Sequence, residues 1–366
     1  MAAPTTVRAP RAALVPGRTP LRIGPVSTVV RLRAAAVVVV GLVVVVLALA
    51  VNLGLGEYPI SVPDVLAVLL GGGNGGQRLV VLDLRLPRSL TGALVGAALA
   101  VSGAITQSIA RNPLASPDII GLTAGATVGA VLVIVFAGAG GAVGGATAAV
   151  GIPVAALLGG LLTAALIYGL AWRRGLQGFR LVLVGVGVNA MLVALIQWML
   201  VVTGVYQAAR AYVWLNGSLN GRGWEHVWPV AVALAVLVPA ALVLAHVLGA
   251  LQYGDDTARG LGIRVDRSRS VLLLVAVCLA SVAAAAAGPI AFVALVAPQI
   301  AQRLTGIARP PITGSLVVGA VLTVVADILA RTALGGTELP VGIVTAVIGA
   351  PYLLFLLARH RRRSRG

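Results

Sequence analysis

Ten apolar stretches, each close to twenty residues long, dominate this 366-residue chain, and only 10% of its residues are charged. A bilayer core about 30 Å thick takes about 20 residues of helix to cross. The stretches fall at 34–53, 88–108, 119–138, 150–171, 181–203, 227–248, 270–287, 290–304, 313–331 and 340–358. They are continuous and rich in Ala, Leu, Val and Gly, with none of the in-out alternation of a closed barrel. A hydrophobic share of 59% and a mean hydropathy of +1.04 also exclude a set of soluble domains. The expected fold is an all-α membrane protein with about ten transmembrane helices.

All 27 basic residues are Arg, and the formal net charge is +17. In a soluble chain that balance would point to nucleic acid. In a chain this apolar it marks cytoplasmic loops. An even number of spans puts both termini on one side. Twenty-one Arg then fall on one face, among them Arg8, Arg11, Arg111, Arg173, Arg174 and Arg365, and six on the other: Arg78, Arg85, Arg88, Arg210, Arg222 and Arg331. The rich face is expected to be cytoplasmic, with both termini inside and the chain in the cytoplasmic (inner) membrane. Residues 1–33 hold six Arg, several Pro and no acid, and read as a disordered cytoplasmic tail. The membrane domain spans 34–358, and 359–366 form a second basic tail. Ala48-Leu49-Ala50 resembles a signal-peptide cleavage site, but the run is long enough to span, and a retained helix is expected.

Almost nothing ionisable lies within the spans. An ion-coupled secondary transporter keeps carboxylates or histidines at mid-membrane, and Asp327 is the one clear candidate here. His226, His246 and His360 lie far apart in sequence and give no metal-ligand spacing, so no cofactor or metal is expected. A chain without Lys has no Gly-x-x-x-x-Gly-Lys-Ser/Thr phosphate loop. Any ATP-derived energy must therefore come from a separate ATPase, and no catalytic residues are assigned. Cys278, alone in the chain, reads as a small packing residue. Gly92/Gly96, Gly121/Gly125 and Gly125/Gly129 have the spacing that lets membrane helices approach closely.

Four segments break the apolar pattern. In Leu84-Arg85-Leu86-Pro87-Arg88, Pro87 suits a first helical turn, and the two arginines can share a face. Arg is scarce outside, so these guanidiniums either reach outward to a partner or anchor a helix end at the interface. Arg111-Asn112-Pro113-Leu114-Ala115-Ser116-Pro117-Asp118 breaks the helix on the cytoplasmic side, as a tight turn or as backbone lining a path. In the loop Leu251–Gly262, Gly254 precedes Asp255 and Asp256, which would complement a helix N-terminus; Ala258 and Leu261 would give a short apolar face for a partner groove, or the helix is simply solvated. The last third carries Ala287–Gln299, Ala326–Arg331 and Glu338–Pro351. Asp327 and Arg331, spaced i, i+4, can form an intramembrane ion pair, functional or structural.

The strings LRLPR, GAALAVSGAITQ, RNPLASPDIIG, AGPIAFVALVAP, ADILAR and ELPVGIVTAVIGAP, in this order, resemble the permease subunits of bacterial ABC importers for iron–siderophores, haem and cobalamin, the FecCD family. The likeness runs from about residue 34 to 358. It implies the type II ABC importer permease architecture. The implied partners are a second permease subunit (homo- or heterodimer), two cytoplasmic ABC ATPase subunits and an extracytoplasmic solute-binding protein. Ferric siderophores are the implied cargo, with cobalamin or haem the alternative. By the same resemblance, Arg85, Arg88 and Arg331 would dock glutamates of the binding protein. Gly254, Asp255, Asp256, Ala258, Leu261 and Gly262 would form the ATPase coupling loop, and Asn112, Pro113 and Leu114 a turn at the inner gate. Two positions depart from the family pattern: Gln299 follows Pro298 where His is usual, and Gln302 replaces an Arg.

Overall fold

The computed structural model describes residues 18–23, 26–56, 58–137, 150–172, 178–334 and 338–363. An antiparallel hairpin, β1 (Arg18–Ile23) with β2 (Val26–Arg31), leads into the first helix. It occupies part of the stretch expected to be structureless; Val26, Thr28, Val29 and Val30 favour extended backbone. Residues 1–17, with Arg8 and Arg11, lie outside the described residues, as do Arg173, Arg174 and 364–366.

The rest is helical: α1 (Leu32–Gly54), α2 (Val62–Leu69), α3 (Gly75–Arg78), α4 (Leu86–Ala110), α5 (Leu122–Leu132), α6 (Ile152–Ala171), α7 (Gly178–Val202), α8 (Val205–Leu215), α9 (Trp224–Val243), α10 (Ala245–Leu251), α11 (Asp255–Gly260), α12 (Val265–Ala287), α13 (Val293–Thr305), α14 (Ile312–Thr332) and α15 (Val341–Arg363). Each of the ten expected spans contains a helix. Among the described residues, seven helices are long and apolar enough to cross a membrane, with shorter apolar helices at Leu122–Phe136 and Val341–Phe355. The expected carboxyl-terminal tail begins as a continuation of α15. Helices α2 and α8 were not anticipated. Ser61 caps α2 by accepting from the Asp64 N–H, with Pro63 in the first turn, a start signal that can be read in the sequence.

Helix α4 forms the centre: 89% of its spanning window is buried, against none of that of α1. Its run of Gly, Ala, Ser and Thr explains why it can be surrounded, because small side chains let neighbouring backbones close in. Against α14, Gly96 and Gly319 face each other so closely that a Cβ on either would overlap the other's carbonyl. Helices α5 and α6 meet in the same way at Gly125 and Gly159. Ser102 Oγ crosses from α4 to donate to the Ala276 carbonyl of α12 at 2.6 Å.

Between α12 and α13 the chain unwinds over Gly288–Phe292, where Gly288 (φ 75°) and Phe292 (φ 66°) are left-handed. Unwound backbone in a membrane protein needs internal partners. The loop after α8 supplies one at its edge, where Ser218 N donates to the Ala287 carbonyl at 2.9 Å; the same loop accepts from α15 through Gly217, whose carbonyl bonds Gly342 N at 3.1 Å.

Candidate functional site

The amino-terminal end of α4 gathers five charged side chains. The backbone runs helically from Gly75 to Ala110, but residues Leu79–Arg85 form a wide π-helical stretch. Leu86 N bonds to the Val81 carbonyl, five residues back, immediately before Pro87, which has no N–H to offer. That stretch places Arg85 against the end of α1 and Arg88 against α14. Arg88 donates to Asp327 Oδ1 through Nη2 at 2.9 Å and to Glu338 through Nη1 at 2.9 Å. Asn52 Nδ2 donates to the other Asp327 oxygen at 3.0 Å. Arg331 donates to Asn52 Oδ1 at 3.0 Å and to the Leu55 carbonyl at 2.7 Å, with Nε 3.6 Å from Glu338. Arg85 donates to the carbonyls of Leu53 at 2.8 Å and Tyr58 at 2.7 Å.

Helix α1 has no basic residue in its last turn, so Arg85 and Arg331 supply the positive charge that its exposed carbonyls favour. Gly56 (φ 141°) lies over both guanidiniums, and a Cβ there would stand 2.7 Å from Arg85 Nη2. Three cations are thus set against two carboxylates, and Arg85 bonds to carbonyls alone in the described contacts.

Two expectations are corrected here. The guanidiniums do not extend outward: Arg85 and Arg88 are 7% and 8% exposed, and the Arg331 side chain 7%. Nor do Asp327 and Arg331 form a direct pair. Asp327 faces α4, where Arg88 meets it, while Arg331 turns to the end of α1, and Asn52 stands between them. Asn52, Gly56 and Glu338 complete the cluster. Glu338 lay in a motif already singled out; Asn52, one polar residue at the end of an apolar run, gave a weak signal of its partner.

On the opposite face α4 ends at Arg111, which is left-handed (φ 50°). Asn112 Oδ1 accepts from Leu114 N at 2.9 Å, closing the turn around Pro113. Burial pushes the Asp118 carboxyl up to about 6, opposed by its hydrogen bond with Thr123. The loop that begins at Gly254 reaches this turn. Asp255 is shared by Arg111 and by Arg269 of α12, the latter at 3.0 Å. Burial alone would raise the Asp255 carboxyl; the hydrogen bonds and charges of Arg269 and Arg111 outweigh it and hold the group below its ordinary value. The short helix α11 starts at Gly254 (φ 107°) with Asp255 and Asp256 in its first turn, as expected, and Gly262 (φ 79°) follows it. Ala258 and Leu261 do not share an exposed face: Ala258 is fully buried and Leu261 exposed, with Tyr253 the other exposed apolar group of the loop.

Deep between these faces, Gln299 of α13 donates to Gln107 Oε1 of α4 at 2.6 Å, and Gln107 donates to the Leu295 carbonyl at 3.0 Å. Gln302 lies nearer the end of α13 and donates to the Ala308 carbonyl at 2.7 Å. Both departures from the family pattern therefore make neutral hydrogen bonds that close α13 onto its surroundings. The charged cluster at one end, the clamped loop at the other and the buried α4 between them form one continuous body.

Residues 27–359 match the model of the FecCD transport family. The chain belongs to that family. It is the permease subunit of an ABC importer and a multi-pass membrane protein. It is 40% identical over 310 residues to the iron(3+)-hydroxamate import system permease protein FhuG of Bacillus subtilis (strain 168), covering 84% of this chain and 92% of FhuG. It is 43% identical over 213 residues to the ferric enterobactin transport system permease protein FepG of Escherichia coli (strain K12), covering 58% of this chain and just under two thirds (64%) of FepG. Among solved structures, a chain assigned as a metal-chelate type ABC transporter in an inward-facing conformation superposes with a TM-score of 0.78 at 28% identity, over 89% of this chain and 99% of that one.

Proposed function

We propose that this FecCD permease carries ferric siderophores inward, driven by ATPases bound to its cytoplasmic face. The carrying observation is the Asp255 clamp. A push on α11 from a cytoplasmic partner passes through Arg111 to the end of α4 and through Arg269 to α12, and α4 is the helix around which the others are built. The sequence has no Lys and so no phosphate loop, which makes the ATPase a separate chain. A second permease subunit, identical or related, completes the pathway. The ferric-chelate cargo follows the relatives, whose names specify hydroxamate, enterobactin and citrate complexes. A vitamin B12 permease of Yersinia enterocolitica at 37% identity makes cobalamin the competing cargo, with haem the other alternative. Uptake of labelled ferric hydroxamate, ferric enterobactin, haem and cobalamin by a deletion strain carrying this chain separates them. Restored ferric-chelate uptake is expected; restoration of cobalamin or haem uptake alone would reassign the cargo.

The outer cluster is proposed to dock an extracytoplasmic solute-binding protein. Its cation excess supports this, since arginines pair bidentately with incoming carboxylates. Because the guanidiniums are buried, docking would compete with Glu338 for Arg88 and Arg331. Arg331→Glu is expected to weaken the complex, with partial rescue by Glu→Arg on the binding protein. Unchanged affinity in the Arg85, Arg88 and Arg331 single variants would leave the cluster a purely structural one.

A further inference from the structure

The start of α10 and the start of α12 border an open concave site of about 370 Å³, lined by Leu244, His246, Gly262, Arg264, Arg267 and Ser268 among others. Arg264 and Arg267 are exposed, and among the described residues neither has a hydrogen bond or ion pair. Asp266, between them in sequence, faces Arg259 instead, at 3.8 Å. No side chain caps the first turn of α12, so its N–H groups add positive potential to the same site. Two free guanidiniums, a hydroxyl and a helix start converge on one concavity, which is the chemistry that holds a phosphate group.

The surroundings say what carries that phosphate. Arg267, Val271 and Leu274 follow one another by four and three residues and so share one face of α12, with Arg264 at its N-cap. Val271 also lines the site, and Leu274 is 60% exposed. On the neighbouring α9, Val236, Leu242 and Val243 are exposed too. The face therefore changes from cationic to lipid-facing apolar within about two turns, matching the order of headgroup and acyl chain in a bilayer. His246 Nδ1 donates to the Val243 carbonyl at 2.9 Å, so in the neutral ring Nε2 is an acceptor, suited to a headgroup hydroxyl. We infer that this site binds an anionic phospholipid, with its phosphate on Arg264 and Arg267 and its chains along Val271 and Leu274. The site adjoins the proposed coupling loop at Gly262, so the inference rests on that loop's cytoplasmic placement, and it is independent of which cargo the permease carries.

The test uses the full-length chain in phosphatidylcholine nanodiscs doped with phosphatidylglycerol, with native mass spectrometry reading the lipid that stays bound. Selective retention of phosphatidylglycerol is expected. At about fivefold for each cation near a membrane surface, Arg264→Gln with Arg267→Gln should weaken retention by about thirtyfold, while the Arg→Lys pair keeps most of it. Equal retention by the Gln variant, or equal retention of phosphatidylcholine, would overturn the inference. Displacement by inorganic phosphate would show a soluble-anion site instead. Loss of the bound lipid when a co-purified ATPase covers the site would show a protein interface.

Discussion

Asn52 is a single polar side chain in the last turn of a lipid-exposed helix, yet it joins the only buried carboxylate of α14 to Arg331. Removing it leaves one Asp327 oxygen and one Arg331 donor short of a partner, which costs about 1–3 kcal/mol. Asp327→Ala is more severe, because it leaves Arg88 charged and buried with Glu338 alone; breaking a buried pair costs about 3–5 kcal/mol. Replacing both members by apolar residues, Arg88→Met with Asp327→Leu, should recover part of that loss. Thermal unfolding of the three variants in one detergent gives the ranking. If Asp327→Ala proved as stable as the natural chain, the network would hold nothing together. The same geometry explains why an i, i+4 spacing misleads here. Spacing fixes which residues share a helix face, but Arg88 and the end of α1 compete for those side chains from outside the helix.

At the scale of elements, α11 is too short to fold alone and is held by what it touches. Asp255 is the main polar tether, through Arg111 and Arg269. Its carboxyl is depressed in the folded chain, so the tether is fully present above the ordinary carboxylate pKa and is lost as pH falls through the lower, folded value. Asp255→Asn should reproduce that loss at neutral pH. Hydrogen exchange of residues 254–262, corrected for the intrinsic rate at each pH, is expected to quicken in both cases, and ATP-driven uptake to fall in the variant. Unchanged protection in Asp255→Asn would show that the buried contacts of Leu248, Leu251 and Ala258 suffice to fix the loop. The helix pairs inside the membrane follow a different rule. Gly96 with Gly319 and Gly125 with Gly159 bring backbones together because neither partner carries a side chain.

For the whole molecule, the distribution of arginine predicts an orientation: the clamp and the proposed lipid site lie on the arginine-rich face, the charged cluster on the poor one. In a background with Cys278→Ser, single cysteines at Arg78 and Arg210 are expected to react with an impermeant reagent in intact cells, and one at Leu261 only after lysis. All three positions are exposed. Labelling of Leu261 from outside would invert the orientation and with it the assignment of the coupling loop.

Long apolar runs without in-out alternation determined that this chain is helical and spans a membrane, because a bilayer admits only helices and closed barrels. The spacing of Gly92 and Gly96 already marked a helix that neighbours could approach closely, and the motif strings singled out the turn at Asn112 and the loop from Gly254, which the fold brings together through Asp255. Which charges meet was decided only by tertiary structure. Arg88 and Asp327 are 239 residues apart in the chain and Asn52 and Asp327 275 apart. Such pairings depend on which helices are neighbours, and one apolar run resembles another. The exposure of Leu261, the burial of Ala258 and the inward turn of Arg85 and Arg88 were settled in the same way, by the neighbouring elements that packed against them.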